Sequence, residues 1–327
     1  MVYPGFFINL EAIMKKILLA FSVLFALLLA FVSCASNKGA RHVAHNETQE
    51  RMFWRIDGTD KNGNPATVYI QGTIHLGDER LYPLAPTVVD AWVNADRIVG
   101  EISTADWAVF ETEMSNKMIQ SQINADGKNV LHNITSTQRD ALFSVLEKEA
   151  AEQLAVYEPW VTIAAIETAV YLNSGLSVEK GMDGQFMLLA YQQGKDMDGL
   201  DSLETQLDVL QFGNYDEQLV LLKDMLDDIA QPEEINKYTN ELYEAYLAGD
   251  VQKLTKLMES SRKEAEAKNT LYAAYYKAIF TERNKAWAEK IKAWIFEGGT
   301  TFIFAGCGHF VGDDSVFMYL KKNGALP

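Results

Sequence analysis

Two stretches of the chain present a histidine after the same run of residue types. Gly72-Thr-Ile-His75 follows Val68-Tyr-Ile-Gln71, and Gly306-Cys-Gly-His309 follows Thr300-Thr-Phe-Ile-Phe-Ala305. In each, β-branched and aromatic residues give way to glycine, and the imidazole comes three positions later. A neutral imidazole is a common metal ligand, and a hydrolytic metal site ordinarily has three protein ligands with one position kept for water. Arg97-Ile-Val-Gly-Glu101, a short apolar run closing in a carboxylate, offers the third. The candidate ligand set is therefore His75, Glu101 and His309. Histidine and carboxylate donors suit a divalent zinc, manganese or cobalt ion, which would bring the pKa of bound water toward neutrality. No HExxH helix occurs in the sequence, so the common zinc-protease arrangement is not the source of such a site.

Residues this far apart need a sheet to bring them together. Phe302-Ile303-Phe304 is apolar on consecutive positions, which suits a strand buried on both faces of a mainly parallel sheet. Glycines at the strand ends permit close backbone approach, and the crevice at the carboxyl ends of such strands is where α/β sheets hold ligands. The expected fold is α/β (α+β): a central mixed, mostly parallel sheet flanked by helices, with a large helical insertion at about 205–296. The first strand is expected at 52–56, with Asp60-Lys-Asn-Gly-Asn-Pro65 as a hairpin turn and 66–71 returning. A helix follows at 85–95, with Pro86 in its first turn, and a strand at 96–102. Residues 105–175 read as helical, broken at Pro159, with Trp160 wedged into the core. Then come a helix at 181–192, a short strand at 194–200, and a helical stretch with joints at Pro232 and Gly249-Asp250. Trp287, Ile291, Trp294 and Ile295 share one face of its last helix, and a closing helix spans 316–322.

Six ordered motifs carry a family resemblance: Gly72-Thr-Ile-His-Leu-Gly77, Val99-Gly-Glu101, Glu158-Pro-Trp160, Gly199-Leu-Asp-Ser-Leu-Glu-Thr-Gln206, Arg283-Asn284 and Gly306-Cys-Gly-His-Phe-Val-Gly312. Over roughly residues 50–325 the chain resembles the TraB/GumN family, which includes pheromone-shutdown proteins and is related to the Tiki metalloproteases. The resemblance implies a metal-dependent, peptidase-like site built from two Gly-x-x-His motifs and a glutamate. It also implies that Arg283 faces that site, where it could neutralise an oxyanion, an ordinary ion pair with a helix carboxylate being the equal alternative. Where the family often reads Gly-Leu-Glu-Thr, this chain has Gly199-Leu-Asp201-Ser202, with Glu204 three positions on. Asp201 or Glu204 is the candidate proton acceptor. Asp201 and Asp183 are also candidates to orient a ligating histidine, with a helix-cap role ranked first for Asp183.

The N-terminal residues point to where the chain works. Met14-Lys-Lys16 is a positive start, residues 17–32 are an apolar run, and Ser33-Cys-Ala-Ser36 is a small-residue exit. The pattern resembles a lipoprotein leader cut before Cys34, which then carries lipid; a plain transmembrane anchor is the rival reading. Residues 1–34 are thus leader with an N-terminal extension, 35–50 a polar tether, and 51–327 the domain. His42-Val-Ala-His45 lies in the tether and reads as solvated linker. The expected location is the bacterial cell envelope, outside the cytoplasm, with the membrane as partner through the N-terminal lipid. With Cys34 lipidated, Cys307 has no disulfide partner and reads as a small residue packed at a strand end. The 327 residues carry a net charge of −16, which argues against nucleic acid as a partner. The family resemblance implies a peptide or protein substrate, with sequestration of a peptide or a haem without turnover as the rival. Nothing in the sequence sets an oligomeric state.

Overall fold

The computed structural model describes residues 50–123, 129–173 and 175–326. Cys34, the leader and the tether up to residue 49 lie outside the described residues. Five strands form one sheet: β1 (Phe53–Thr59), β2 (Pro65–Thr73), β3 (Arg97–Gly100), β4 (Met197–Gly199) and β5 (Gly299–Gly306). Their order is β1-β2-β5-β3-β4, with β1 antiparallel to β2 and every other pairing parallel. The β1–β2 turn closes on Asp60, whose Oδ1 accepts from the backbone N–H groups of Asn62 and Asn64 at 2.8 Å each. Gly63 there has φ of 84°, the left-handed conformation for which the Asn-Gly pair is suited.

The last strand in the sequence is the middle strand of the sheet. β2 and β5 run side by side in a register that pairs Gly72 with Ala305 and Thr73 with Gly306. Both Gly-x-x-His segments therefore leave the sheet at the same carboxyl edge. On β5, Phe302 and Phe304 point to one face, where they meet Trp92 and Phe186. Ile303 and Ala305 point to the other, into a cluster with Trp287, Ile291 and Leu320. All four β5 residues are no more than 2% exposed. Burial on both faces is why the run is apolar without alternation, and truncating either phenylalanine to alanine would cost about 3–5 kcal/mol.

The helices cover both faces of the sheet and extend beyond it. They are α1 (Pro86–Val93), α2 (Thr104–Gln120), α3 (Ser136–Val145), α4 (Lys148–Leu154), α5 (Pro159–Asn173), α6 (Met182–Gln193) and α7 (Leu203–Leu210). After them come α8 (Tyr215–Ile229), α9 (Pro232–Leu247), α10 (Val251–Lys268), α11 (Leu271–Tyr276), α12 (Glu282–Glu297) and α13 (Val316–Lys322). Their starts are written in the sequence: Ser103 caps α2, while Thr135 with Gln138 and Asn214 with Glu217 form capping boxes on α3 and α8. The helical stretch expected at 105–175 comprises α2 to α5, with Pro159 opening α5 as anticipated and Trp160 2% exposed.

A single π-helical turn, Lys277–Thr281, joins α11 to α12. Such turns rotate the following side chains out of α-helical phase. Arg283 and Trp287, four residues apart on α12, both turn inward. Among the described residues no helix is long and apolar enough to cross a membrane.

Candidate metal centre

β2 ends in Thr73 and releases a short turn that carries His75. This turn is clasped by the segment leading into α6. Gly77 and Ser177 exchange backbone hydrogen bonds of 3.0 and 2.8 Å, and the Met182 N–H donates to the Ile74 carbonyl at 2.9 Å. The approach is so close that a Cβ on Gly181 would lie 2.0 Å from the His75 carbonyl oxygen. Glycine is required there because the obstacle is backbone and cannot rotate away. One helical step beyond, Asp183 occupies the first turn of α6, where the helix dipole favours a carboxylate.

Asp183 does not cap its helix. One oxygen accepts a 2.5 Å hydrogen bond from the Thr73 hydroxyl, and the other stands 2.8 Å from His75 Nδ1. The second contact is close without being aligned: both His75 nitrogens and Asp183 Oδ2 are buried and have no hydrogen-bond partner. Buried polar atoms without partners are costly and rare, so such a group marks a place where something else binds. Two donor atoms that each bind one ion at 2.0–2.2 Å lie about 3 Å apart, which is the spacing seen.

Glu101 completes the group. The ligand atoms of His75, Glu101 and Asp183 all lie within 4.8 Å of one another. Glu101 follows β3 directly and is fixed from two sides. Its Oε1 accepts from the Gly306 N–H at 2.9 Å, and its Oε2 accepts from Arg283 at 2.8 Å and Gln206 at 3.1 Å. Glu101 and Asp201 share the Arg283 guanidinium, and Asp183 stands beside Glu101, so three carboxylates are set against one guanidinium, a negative surplus that a divalent cation would offset. The same surplus acts on His75. Burial pushes its imidazole toward neutrality, yet the Asp183 carboxylate, with Glu101 behind it, raises its pKa above the ordinary histidine value.

The clustered set thus contains Asp183 in place of the expected His309. His309 is 1% exposed and stacks between Trp287, at 4.2 Å between ring centres, and Phe280, at 4.9 Å. Asn284 fixes its tautomer. The Asn284 amide donates to the Asp314 carbonyl, so its oxygen faces His309 Nδ1 at 2.6 Å and accepts that N–H. The lone pair on Nε2 then accepts from Arg283 Nη1 at 3.0 Å. Burial and the adjacent guanidinium hold His309 well below the usual histidine pKa, so it is neutral. In this arrangement Arg283 stands where an ion bound to His309 would have to be.

The other expected site residues divide in the same way. Arg283 is 2% exposed and bonds Asp201, Glu101, the Ile279 carbonyl and His309. It is a strut across the site, paired with the Glu101 and Asp201 carboxylates. Asp201 accepts from Trp287 Nε1 at 2.6 Å, Arg283 Nε at 2.7 Å and Gln206 Nε2 at 3.1 Å. With these three contacts Asp201 holds Arg283 and Trp287 in line. Glu204 is exposed on α7, and the residue that this helix turns inward is Gln206. Cys307 packs near Gly72, and burial pushes its thiol up to about 12.

Two cavities flank the site. One, of about 50 Å³, opens directly on His75, Glu101 and Asp183. The other, of about 350 Å³, lies between α10 and the loop after β5 and reaches the site through Phe280, Asn284 and Gly308, neighbours of His309. The smaller cavity, where the unpartnered atoms are, is the one that matters for chemistry.

The TraB/PrgY/gumN family model matches residues 52–326. An uncharacterised protein of Treponema pallidum (strain Nichols) is 29% identical over 313 residues, covering 92% of this chain and 89% of that protein. The uncharacterised protein YbaP of Escherichia coli (strain K12) is 24% identical over 258 residues, covering 77% of this chain and 87% of YbaP, and YbaP of Shigella flexneri matches equally. No solved structure matches.

Proposed function

Because the chain belongs to the TraB/PrgY/gumN family, we propose that it is a metal-dependent hydrolase, a peptidase acting on peptide or protein outside the cytoplasm. The observation that carries this reading is the buried His75–Glu101–Asp183 group, whose histidine nitrogens and Asp183 oxygen lack hydrogen-bond partners. One imidazole and two carboxylates fit a divalent zinc, manganese or cobalt ion by donor type. When bound, such an ion supplies Lewis acidity toward a carbonyl and makes water acidic enough to deprotonate near neutral pH.

The chain's own residues do the rest. Thr73 orients Asp183, and the Gly306 N–H, Gln206 and Arg283 orient Glu101, so neither carboxylate is free to swing. Arg283 offsets the charge of Glu101 and Asp201, and neutral His309 accepts from Arg283, which keeps the strut from tilting. Lipid attachment at Cys34 is supported by the apolar run 17–32 and the small residues around that cysteine.

The test is metal content by mass spectrometry and cleavage of a quenched-fluorescence peptide library, for the wild-type chain, His75→Ala and Asp183→Asn. The reading expects one ion per chain and library cleavage, both lost in each variant. Full metal retention in both variants would sink it, and a peptide recovered intact from the site would favour sequestration instead.

A further inference from the structure

The cavity over the ligand group has a polar floor and apolar walls. His75, Glu101, Asp183 and Gln206 form the floor, and Ile102, Trp107, Phe110, Met187 and Phe304 form the walls. None of the wall side chains is charged. Phe110 and Phe304 are 6% and 2% exposed, and each is held by further aromatic packing. The wall is tight at Gly100, where a Cβ would stand 3.1 Å from the Phe304 ring. These parts of the wall cannot yield. Trp107, in contrast, is only half-buried on the first turns of α2, and it stacks on Phe110 with ring centres 5.5 Å apart. Met187 is half-buried on α6, one turn beyond Asp183.

We infer that the group a substrate places beside the reacting centre is a small aliphatic one, and that Trp107 sets its upper size. The inference rests on the metal-hydrolase reading and deepens it. The volume of about 50 Å³ is more than the space of about 10–15 Å³ that holds one water, but falls well below the roughly 150 Å³ cavity that accepts benzene. A methyl to isopropyl group fits, whereas a phenyl ring meets Trp107. A charged substituent finds no partner on the walls and loses its hydration. Trp107 is a specificity residue here, and its removal joins the cavity to solvent beside α2.

The test uses hydroxamates, which chelate a metal through a common head and differ only in the attached group. The full chain, purified in detergent and loaded with zinc or manganese, is titrated with acetohydroxamate, isobutyrohydroxamate, benzohydroxamate and succinic monohydroxamate. Isobutyrohydroxamate is expected to bind about tenfold tighter than acetohydroxamate, since each added buried methyl is worth a factor of a few. Benzohydroxamate and the succinic compound should bind more weakly than either. In Trp107→Ala the order should invert, benzohydroxamate gaining about tenfold while isobutyrohydroxamate loses, with metal content unchanged.

Trp107→Phe serves where the alanine variant does not fold, and it should relax the limit in the same direction. An unchanged order in both variants, or tightest binding of the succinic compound by the wild type, overturns the inference. Metal content is measured first. A chain that takes up no metal refutes the hydrolase reading and this inference with it, whereas a metal-loaded chain indifferent to the substituent refutes this inference alone.

Discussion

Gly181→Ala is the sharpest probe of how the ligand group is built. The added Cβ would stand 2.0 Å from the His75 carbonyl oxygen, 2.6 Å from its carbon and 3.0 Å from the Val178 oxygen, where ordinary contact begins at 3.4 Å. All three obstacles are backbone, so relief requires the start of α6 to back away from the His75 turn by more than an ångström. Asp183, two residues along, moves with it. Metal sites hold their distances to about 0.2 Å, and disturbing the residues that orient ligands costs about 10–100-fold in affinity, the loss expected here. Overpacking of this kind costs about 1–3 kcal/mol, so the melting temperature should fall by several degrees without loss of the fold.

Gly184→Ala supplies the control in the same helix. Its Cβ would meet nothing nearer than the Val178 oxygen at 4.0 Å, so it should bind metal normally and gain about 0.5–1 kcal/mol from helix propensity. Equilibrium dialysis against zinc gives the affinities. Hydrogen exchange at the Met182 amide, bonded to Ile74 at 2.9 Å, should accelerate only in the Gly181 variant. Wild-type metal affinity and wild-type exchange in Gly181→Ala would refute the clasp, as would an equal loss in Gly184→Ala.

Other expectations follow from groups away from the centre. Burial raises the Asp228 carboxyl to about 6, despite Lys268 at 3.5 Å. A folded pKa above the unfolded value of about 3.9 means that stability present below pH 4 is lost as pH rises through 6. Asp228→Asn should therefore melt higher at pH 7.5, by about 1–2 kcal/mol after solvent screening, and match the wild type at pH 4. Glu167 is 2% exposed with Oε1 unpartnered, and burial alone raises its pKa well above the usual carboxylate range. By the same sign, wild-type melting should decline between pH 5 and 8 more steeply than that of Glu167→Gln; parallel profiles would refute the assignment. Cys34→Ser should abolish metabolic labelling with palmitate and move the chain out of the membrane fraction. Unchanged fractionation without labelling would favour the plain anchor.

The strand ends were legible because they are written locally. Consecutive apolar residues marked β5 as buried on both faces, and Gly72 and Gly306 marked where the chain leaves the sheet. His75 and Glu101 were found that way. Asp183 was read first as a helix cap because a carboxylate between Gly181 and Gly184 looks like one, and only the contact with the His75 carbonyl reveals why the first glycine is there. His309 was placed at the right sheet edge but given the wrong neighbour. The side chain that occupies its Nε2 comes from α12, and the π-helical turn before Arg283 has no periodicity signal. Trp107 passed unnoticed because a half-buried tryptophan in a helical stretch looks like packing. What sequence could not supply in each case was a contact between segments distant in the chain, set by register and by close approach of backbone.

The position of β5 has a consequence for how the protein comes into being. Its hydrogen-bonding partners β2 and β3 have emerged long before it, yet they touch each other only through it. Until Gly299–Gly306 is synthesised, both neighbours carry open edges, and Glu101 lacks the Gly306 amide that steadies it. Assembly of the sheet is thus deferred until β5 has been synthesised. It also means that a chain cut before Gly299 leaves β2 and β3 unjoined and Glu101 without the Gly306 amide.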